Sequence, residues 1–130
     1  MCVLDTHIFV WMAGAAIRLT PQVTSVLQDE SNGLWFSPLS LWEMVQASEK
    51  GRLIFDMPVA DWFKKSIDGR NFHQATMTNE VALEAARFTL PHRAPMDLLL
   101  VATARVYDLT LVTADRNLIA AGVVDTLANC

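Results

Sequence analysis

The sequence predicts an α/β protein with a central, mostly parallel sheet of four or five strands and helices on both faces. Short β-favouring runs alternate with helical segments along the chain, and acidic residues follow several of these runs. The length of 130 residues suits a single domain over residues 1–130. Of these residues 52% are hydrophobic and 18% are charged, which is typical of a folded protein with a substantial core.

The predicted strands are short, rich in apolar or β-branched residues, and bounded by turn-forming residues. They lie at residues 1–5, 33–37, 71–76 and 109–113, with a possible last strand at 123–127. Because helices separate successive strands, the connections favour a parallel sheet, in which ligands bind at the carboxyl ends of the strands.

The predicted helices have apolar residues at spacings of three and four. Thr20 and Thr78 mark two helix starts, and Gly51 and Gly69 mark two helix ends. The segments lie at residues 6–16, 21–30, 38–51, 59–69, 79–88, 95–107 and 114–122. The helix at 95–107 is apolar on most faces, which predicts a deep position in the structure.

Composition narrows the functional classes. The formal net charge of −4 offers no general attraction to nucleic acid or to an anionic membrane, so binding to a polyanion would need local clusters of cations. The apolar stretch at residues 8–17 is too short to cross a bilayer and is predicted to be a core helix of a cytoplasmic protein. Cys2 and Cys130 lack metal-type spacing, as expected in a reducing cytosol. Aromatic residues at helical spacing are predicted to fill the core or an interface: Trp11, Trp42 and Trp62.

Four acids are flanked by apolar segments and lie near strand ends or helix starts: Asp5, Glu43, Asp97 and Asp115. Each has a structural explanation. Asp5 and Asp115 are suited to N-caps, and Asp97 to the positive end of a helix dipole. Glu43 follows Ser40 by three residues, which matches a capping box.

The four acids together favour a functional site. A parallel sheet gathers strand ends on one edge, where crowded carboxylates repel one another unless they are protonated or share a cation. Oxygen ligands without a cluster of Cys or His favour Mg²⁺ or Mn²⁺ over zinc. Such a metal suits phosphoryl chemistry, since it orients water and neutralises charge on the phosphate.

Four stretches, "LDTHIFVW", "SPLSLWEM", "PMDLLLVATA" and "LVTADRNL", resemble the successive motifs of PIN-domain ribonucleases, in particular VapC-type toxins of bacterial toxin–antitoxin pairs. The resemblance covers nearly the whole chain and implies a PIN-like three-layer α/β/α fold. It implies that the four acids hold Mg²⁺ or Mn²⁺ and position water against an RNA phosphodiester. It also implies supporting polar groups at Thr6, Ser37, Thr113 and Asn117.

The sequence departs from the motif around Asp97. Such toxins commonly have an acid before the proline and an arginine after the aspartate, where this chain has Ala94 and Leu98. This departure puts rate, metal affinity and substrate contact in question. The nearby cations are suited to contact with RNA phosphates or, equally, to exposed loop positions: His92, Arg93 and Arg116.

The resemblance also implies partners, namely an RNA substrate, a small cognate antitoxin and a second copy of the chain in a homodimer. Two other functions stay open. A degenerate domain would keep the fold and the partner surface without turnover, as Ala94 and Leu98 suggest. A phosphatase with Asp5 as nucleophile is less favoured, because such enzymes generally have a second acid at the position that His7 holds.

Overall fold

A computed structural model describes residues 1–90 and 94–130. Five short strands form the sheet: β1 (Cys2–Leu4), β2 (Leu34–Phe36), β3 (Phe72–Gln74), β4 (Thr110–Thr113) and β5 (Thr126–Ala128). Seven α-helices are described: α1 (Thr6–Gly14), α2 (Pro21–Gln28), α3 (Pro38–Glu49), α4 (Val59–Ile67), α5 (Asn79–Ala85), α6 (Pro95–Val106) and α7 (Arg116–Ala121). A 3-10 helix (Ala16–Arg18) follows α1. Within these residues, no helix is both long and apolar enough to cross a membrane.

The sheet has the order β3-β2-β1-β4-β5, and every pairing is parallel. This confirms the predicted α/β class and the predicted parallel sheet. The chain leaves β1 on one side toward β2 and later returns on the other side as β4, so strand order reverses at β1. Such a reversal opens a crevice at the carboxyl ends of β1 and β4, where α/β proteins bind ligands.

Side chains alternate across the sheet and build two core layers. Leu4 and Val112 point toward a core with Phe9 and Met44, to which α1, α2, α3 and α4 contribute. Val3 and its β4 neighbour Leu111 belong to the second core, on the side of α6 and α7. The result is the predicted three-layer arrangement, with the sheet buried between helices.

Several helix starts follow the predicted capping chemistry. The Thr20 hydroxyl accepts a hydrogen bond from the Val23 N–H at 3.2 Å, and Thr78 does the same for Val81 at 3.3 Å. The predicted deep position of α6 is confirmed, because every residue from Leu100 to Ala104 is buried.

Several predicted boundaries are wrong by one to three residues, and two of them have a clear physical reason. The first helix ends at Gly14 instead of residue 16, since Ala15 adopts φ −152° and ψ 55°, outside the helical region. The last strand is Thr126–Ala128 and not 123–127. Val123 and Val124 pack against the second core, and pairing with β4 begins only at Thr126.

Candidate active site

Asp5 lies immediately after β1, and both of its carboxylate oxygens accept hydrogen bonds. Its Oδ1 accepts the Thr6 N–H at 2.7 Å, as the N-cap of α1. Its Oδ2 accepts the Thr113 hydroxyl at 2.7 Å. Thr113 ends β4, which pairs directly with β1, so the sheet register itself brings the two side chains together. Asp5 is therefore held at the crevice where strand order reverses.

Glu43 reaches the same place from α3. Its Oε1 accepts the hydroxyl of Thr6 at 2.8 Å, and Thr6 is 4% exposed. The predicted capping box is wrong, because α3 begins at Pro38 with Ser37 as its N-cap, which puts Ser40 inside the helix. Glu43 is thus directed toward Asp5 and its neighbours instead of toward its own helix start.

Three carboxylates share one electrostatic environment. Burial raises the pKa of Asp5, against the lowering effect of its two hydrogen bonds, and the Asp97 carboxylate raises that pKa further. Burial also raises the pKa of Glu43, with further increases from Asp5 and Asp97. Asp97 lies in the first turn of α6. The charge of Asp97 therefore acts on both Asp5 and Glu43, and a shared metal site of the acids stays a prediction.

Asp115 joins the site through Thr113. Its own N–H donates to the Thr113 hydroxyl oxygen at 3.0 Å, and that hydroxyl donates in turn to Asp5. Its Oδ1 caps α7 by accepting the N–H groups of Asn117 at 2.8 Å and Leu118 at 3.4 Å. Asp115 is therefore an N-cap, which confirms one of the two interpretations of the sequence. The Thr113 hydroxyl links it to Asp5.

The other predicted site residues differ in their placement. Ser37 is 1% exposed, and its hydroxyl accepts the Leu39 N–H at 3.1 Å, which is a capping role at the end of β2. Arg116 and Asn117 are exposed in the first turn of α7, beside Asp115. His92 and Arg93 lie outside the described residues.

A groove beside Glu43 was not predicted. It is lined by α3, the start of α1 and the loop that follows α3, and it has a volume of about 280 Å³. Trp42 lines it and is 54% exposed. Of the two predicted positions, core or interface, the core is therefore wrong for this tryptophan, and the interface stays a prediction. Lys50 and Arg52 also line it. The sequence signal was the spacing of Trp42, Gln46 and Lys50, which are four residues apart along α3 and its C-cap.

The donor chemistry of the site fits a hard divalent cation. Asp5, Glu43 and Asp97 offer only oxygen, which Mg²⁺ and Mn²⁺ prefer. Burial, with smaller contributions from neighbouring carboxylates, raises the pKa of Asp5 and of Glu43, and a bound cation would stabilise the ionised form of both. In residues 1–90 and 94–130, however, no three His, Cys, Asp or Glu side chains are spaced to hold a metal ion as they stand.

The family follows from a comparison with known domains. The sequence matches the model of the PIN domain over residues 2–124, and the chain belongs to the PIN domain family. A sequence search of curated proteins found no match.

Solved structures share the fold over almost the full length. A chain of VapBC2 from Rickettsia felis, bound to a DNA fragment from its promoter, has a TM-score of 0.71 at 14% identity, with 97% of this chain and 96% of that one covered. A toxin–antitoxin complex from Klebsiella pneumoniae gives 0.65 at 12% identity, with 100% and 98% covered. FitAcB from Neisseria gonorrhoeae gives 0.61 at 17% identity, with 99% and 98% covered. At these identities the likeness concerns the fold, and it agrees with the predicted PIN-like architecture.

Proposed function

We propose that this protein is a metal-dependent endoribonuclease that acts as the toxin of a type II toxin–antitoxin pair. The observation that carries the proposal is that Asp5, after β1, and Glu43, of α3, are both hydrogen-bonded to Thr6 at the carboxyl edge of a parallel sheet. The charge of Asp97, from α6, acts on both carboxylates. A purely structural set of helix caps gives no reason for burial and a neighbouring carboxylate to raise the pKa of both Asp5 and Glu43.

Asp5, Glu43, Asp97 and Asp115 are the residues that would hold Mg²⁺ or Mn²⁺. A divalent cation bound among them would lower the pKa of a water molecule and neutralise charge on the phosphodiester. Thr6 fixes Glu43 through its hydroxyl, and Thr113 fixes Asp5. The two threonines are buried, so the carboxylates are oriented from the dry side of the crevice.

Two buried hydroxyls that bond different acids are typical of an oriented ligand set. Each threonine links secondary structure elements, since Thr6 of α1 binds Glu43 of α3, and Thr113 of β4 binds Asp5 after β1. Movement of either acid would break a short hydrogen bond to a charged group, which contributes about 1.5–3 kcal/mol. The chain therefore keeps the acids directed at the crevice in spite of their repulsion.

The structural neighbours support the partner part of the proposal. Those from Rickettsia felis and Klebsiella pneumoniae are toxin–antitoxin assemblies. By analogy we infer that this chain binds a small antitoxin protein and forms a homodimer. RNA as the substrate is inferred from the PIN-domain motifs and from the suitability of the acids for phosphodiester hydrolysis.

A degenerate domain without turnover is the second candidate function. Two observations favour it: the described acids are not spaced as a ready metal site, and Ala94 and Leu98 replace an acid and an arginine of the usual motif. Such a domain would keep the antitoxin surface and lose hydrolysis.

Cleavage of single-stranded RNA separates the two. An end-labelled RNA should be cut by wild type in Mg²⁺ or Mn²⁺, with activity lost in EDTA and restored by added metal. Asp5→Asn should abolish cleavage, while Asp61→Asn, the same chemical change at an exposed position on α4, should preserve it. Equal cleavage by wild type and Asp5→Asn, or cleavage undiminished in EDTA, would overturn the proposed site. Absence of cleavage by all three proteins in metal would favour the degenerate domain.

A further inference from the structure

The groove beside Glu43 is continuous with the candidate active site. Thr6 and Glu43, which are hydrogen-bonded to each other, form one end of its lining. Trp42 of α3, Lys50 at the C-cap of α3 and Arg52 of the following loop also line it. Its volume of about 280 Å³ is just below the range of typical ligand pockets, which is roughly 300–1,000 Å³. It therefore suits one small group and not a large ligand.

The geometry of α3 sets the distance between the acid and the cation. Glu43 and Lys50 are seven positions apart, so they lie about 10 Å apart along the helix axis. Two turns of helix return both residues to nearly the same face. The groove therefore runs from a carboxylate that faces the crevice to a positive end on the protein surface.

The positive end has no carboxylate partner in the described structure. There, ion pairs of 4.0 Å or less join Arg87 and Arg105 to Glu84, and none includes Lys50 or Arg52. The protein has a net charge of −4, but Lys50 and Arg52 make the surface beside the acidic site locally positive. They favour an anionic ligand that approaches the acids, and phosphate is the anion on which the proposed function acts.

Trp42 supplies an aromatic surface at the same place. Its side chain is 54% exposed, on the residue directly before Glu43, and it lines the groove together with the cations. An exposed aromatic ring next to unpaired cations is the combination by which proteins bind single-stranded nucleic acid, because every base offers a face for stacking. An apolar protein segment would leave the two cations without an anionic partner.

We propose that Trp42, Lys50 and Arg52 form a subsite for one nucleotide of single-stranded RNA, next to the phosphodiester held at the acids. Trp42 stacks on the base, and the two cations neutralise the neighbouring phosphates. The subsite rests on the proposed ribonuclease function. It adds that binding depends on an unpaired base and accepts different bases, since stacking discriminates weakly among them.

Binding of a fluorescein-labelled ten-nucleotide RNA of mixed sequence tests the subsite. Anisotropy titrations in Mg²⁺ use the Asp5→Asn background, which prevents cleavage. Trp42→Leu should raise Kd about 5- to 100-fold, whereas Trp42→Phe, which keeps an aromatic face, should retain most of the affinity. In the double variant Lys50→Gln with Arg52→Gln, the slope of log affinity against log salt should become shallower by about 1.4, or 0.7 for each lost phosphate contact. Lys65→Gln, an exposed cation on α4 outside the groove, is the matched control.

The outcomes distinguish the subsite from the function. If the background protein binds RNA but neither Trp42→Leu nor the double variant changes affinity or slope, the subsite is overturned and the ribonuclease proposal survives. If Trp42→Leu leaves RNA affinity unchanged and abolishes binding to the cognate antitoxin, the groove is a protein-docking site instead. If no RNA binding or cleavage is found for any form, both proposals fail. If Trp42→Leu does not fold, the salt slope of the double variant still tests the subsite, because an unchanged slope would overturn it.

Discussion

The hydroxyl of Thr113 is the most informative single group to remove. It is fully buried, donates to Asp5 Oδ2 at 2.7 Å, and accepts the Asp115 N–H at 3.0 Å. Thr113→Val keeps the shape of the side chain and removes both interactions. The variant therefore tests whether this hydroxyl holds the two acids at the site.

The expected cost follows from the two interactions. A hydrogen bond to a charged carboxylate contributes about 1.5–3 kcal/mol, and a buried N–H left without a partner costs about 1–3 kcal/mol. The additional methyl group recovers about 0.8 kcal/mol. Since Asp5 and Asp115 retain some access to water, we expect a net loss of about 2–4 kcal/mol in the free energy of unfolding at pH 7.

Thr103→Val is the matched control. Thr103 is 1% exposed, and its hydroxyl donates to the Leu99 carbonyl of the same helix at 2.7 Å. That carbonyl lies within the hydrogen-bond ladder of α6, and no charge is involved, so a cost of about 0.5–1 kcal/mol is expected. Urea denaturation of wild type and both variants in EDTA measures the difference.

The pH dependence adds a second criterion. The Thr113 hydroxyl favours the ionised form of Asp5 and lowers its pKa against the effect of burial, so the variant should have a higher Asp5 pKa than wild type. The part of the lost unfolding free energy that depends on the charge of Asp5 should become smaller as pH falls through the pKa of Asp5, because the carboxylate becomes protonated. A loss for Thr113→Val no larger than that for Thr103→Val at pH 7, or one independent of pH, would refute the assigned role.

Three further changes test the charges, the motif and the core. Burial and two neighbouring carboxylates raise the pKa of Glu43, so the stability that its protonated form contributes is present below about pH 4.3 and is lost as pH rises through the raised pKa. In EDTA at pH 7, Glu43→Gln should therefore have a melting temperature equal to or above that of wild type. A clearly lower melting temperature would contradict this. Ala94→Asp with Leu98→Arg should raise RNA cleavage or metal affinity by roughly 10- to 100-fold, and no gain in either would show that these positions are not limiting. Phe9→Ala, at a 1% exposed position packed on Phe63, should cost about 3–5 kcal/mol in urea denaturation, and less than 1 kcal/mol would place Phe9 outside the cooperative core.

The sequence was sufficient to locate the acids because their positions follow from topology. A carboxylate directly after a strand, such as Asp5, has to lie at the carboxyl edge of a parallel sheet. Asp115, two residues after β4, follows the same rule and caps the next helix. The interactions that orient the acids depend on strand register, which the pattern of residues does not determine uniquely. The contact of Thr113 with Asp5 across 108 positions is of that kind.

Errors arose where two local signals competed. Ser37 and Ser40 are both acceptable N-caps, but Pro38 favours the first helical position, which makes Ser37 the cap and leaves Glu43 for the site. Val123 and Val124 have high β propensity, yet burial against the second core determines their position. Trp42 was predicted to lie in the core or an interface on its residue type, and its exposure excludes only the core. The groove that it lines also needs Arg52, from the loop after α3, which the sequence pattern does not place.

The central proposal is that the carboxylates of Asp5, Glu43, Asp97 and Asp115 would together hold a divalent cation. The most direct measurement is the melting temperature of wild type and Glu43→Gln across a titration of Mn²⁺. Because a ligand stabilises the folded state by RT ln(1 + [L]/Kd), wild type should gain about 2.7 kcal/mol at a concentration 100 times Kd. Glu43→Gln should gain much less at the same concentration. Equal stabilisation of the two proteins, or none in wild type at millimolar Mn²⁺, would contradict the account.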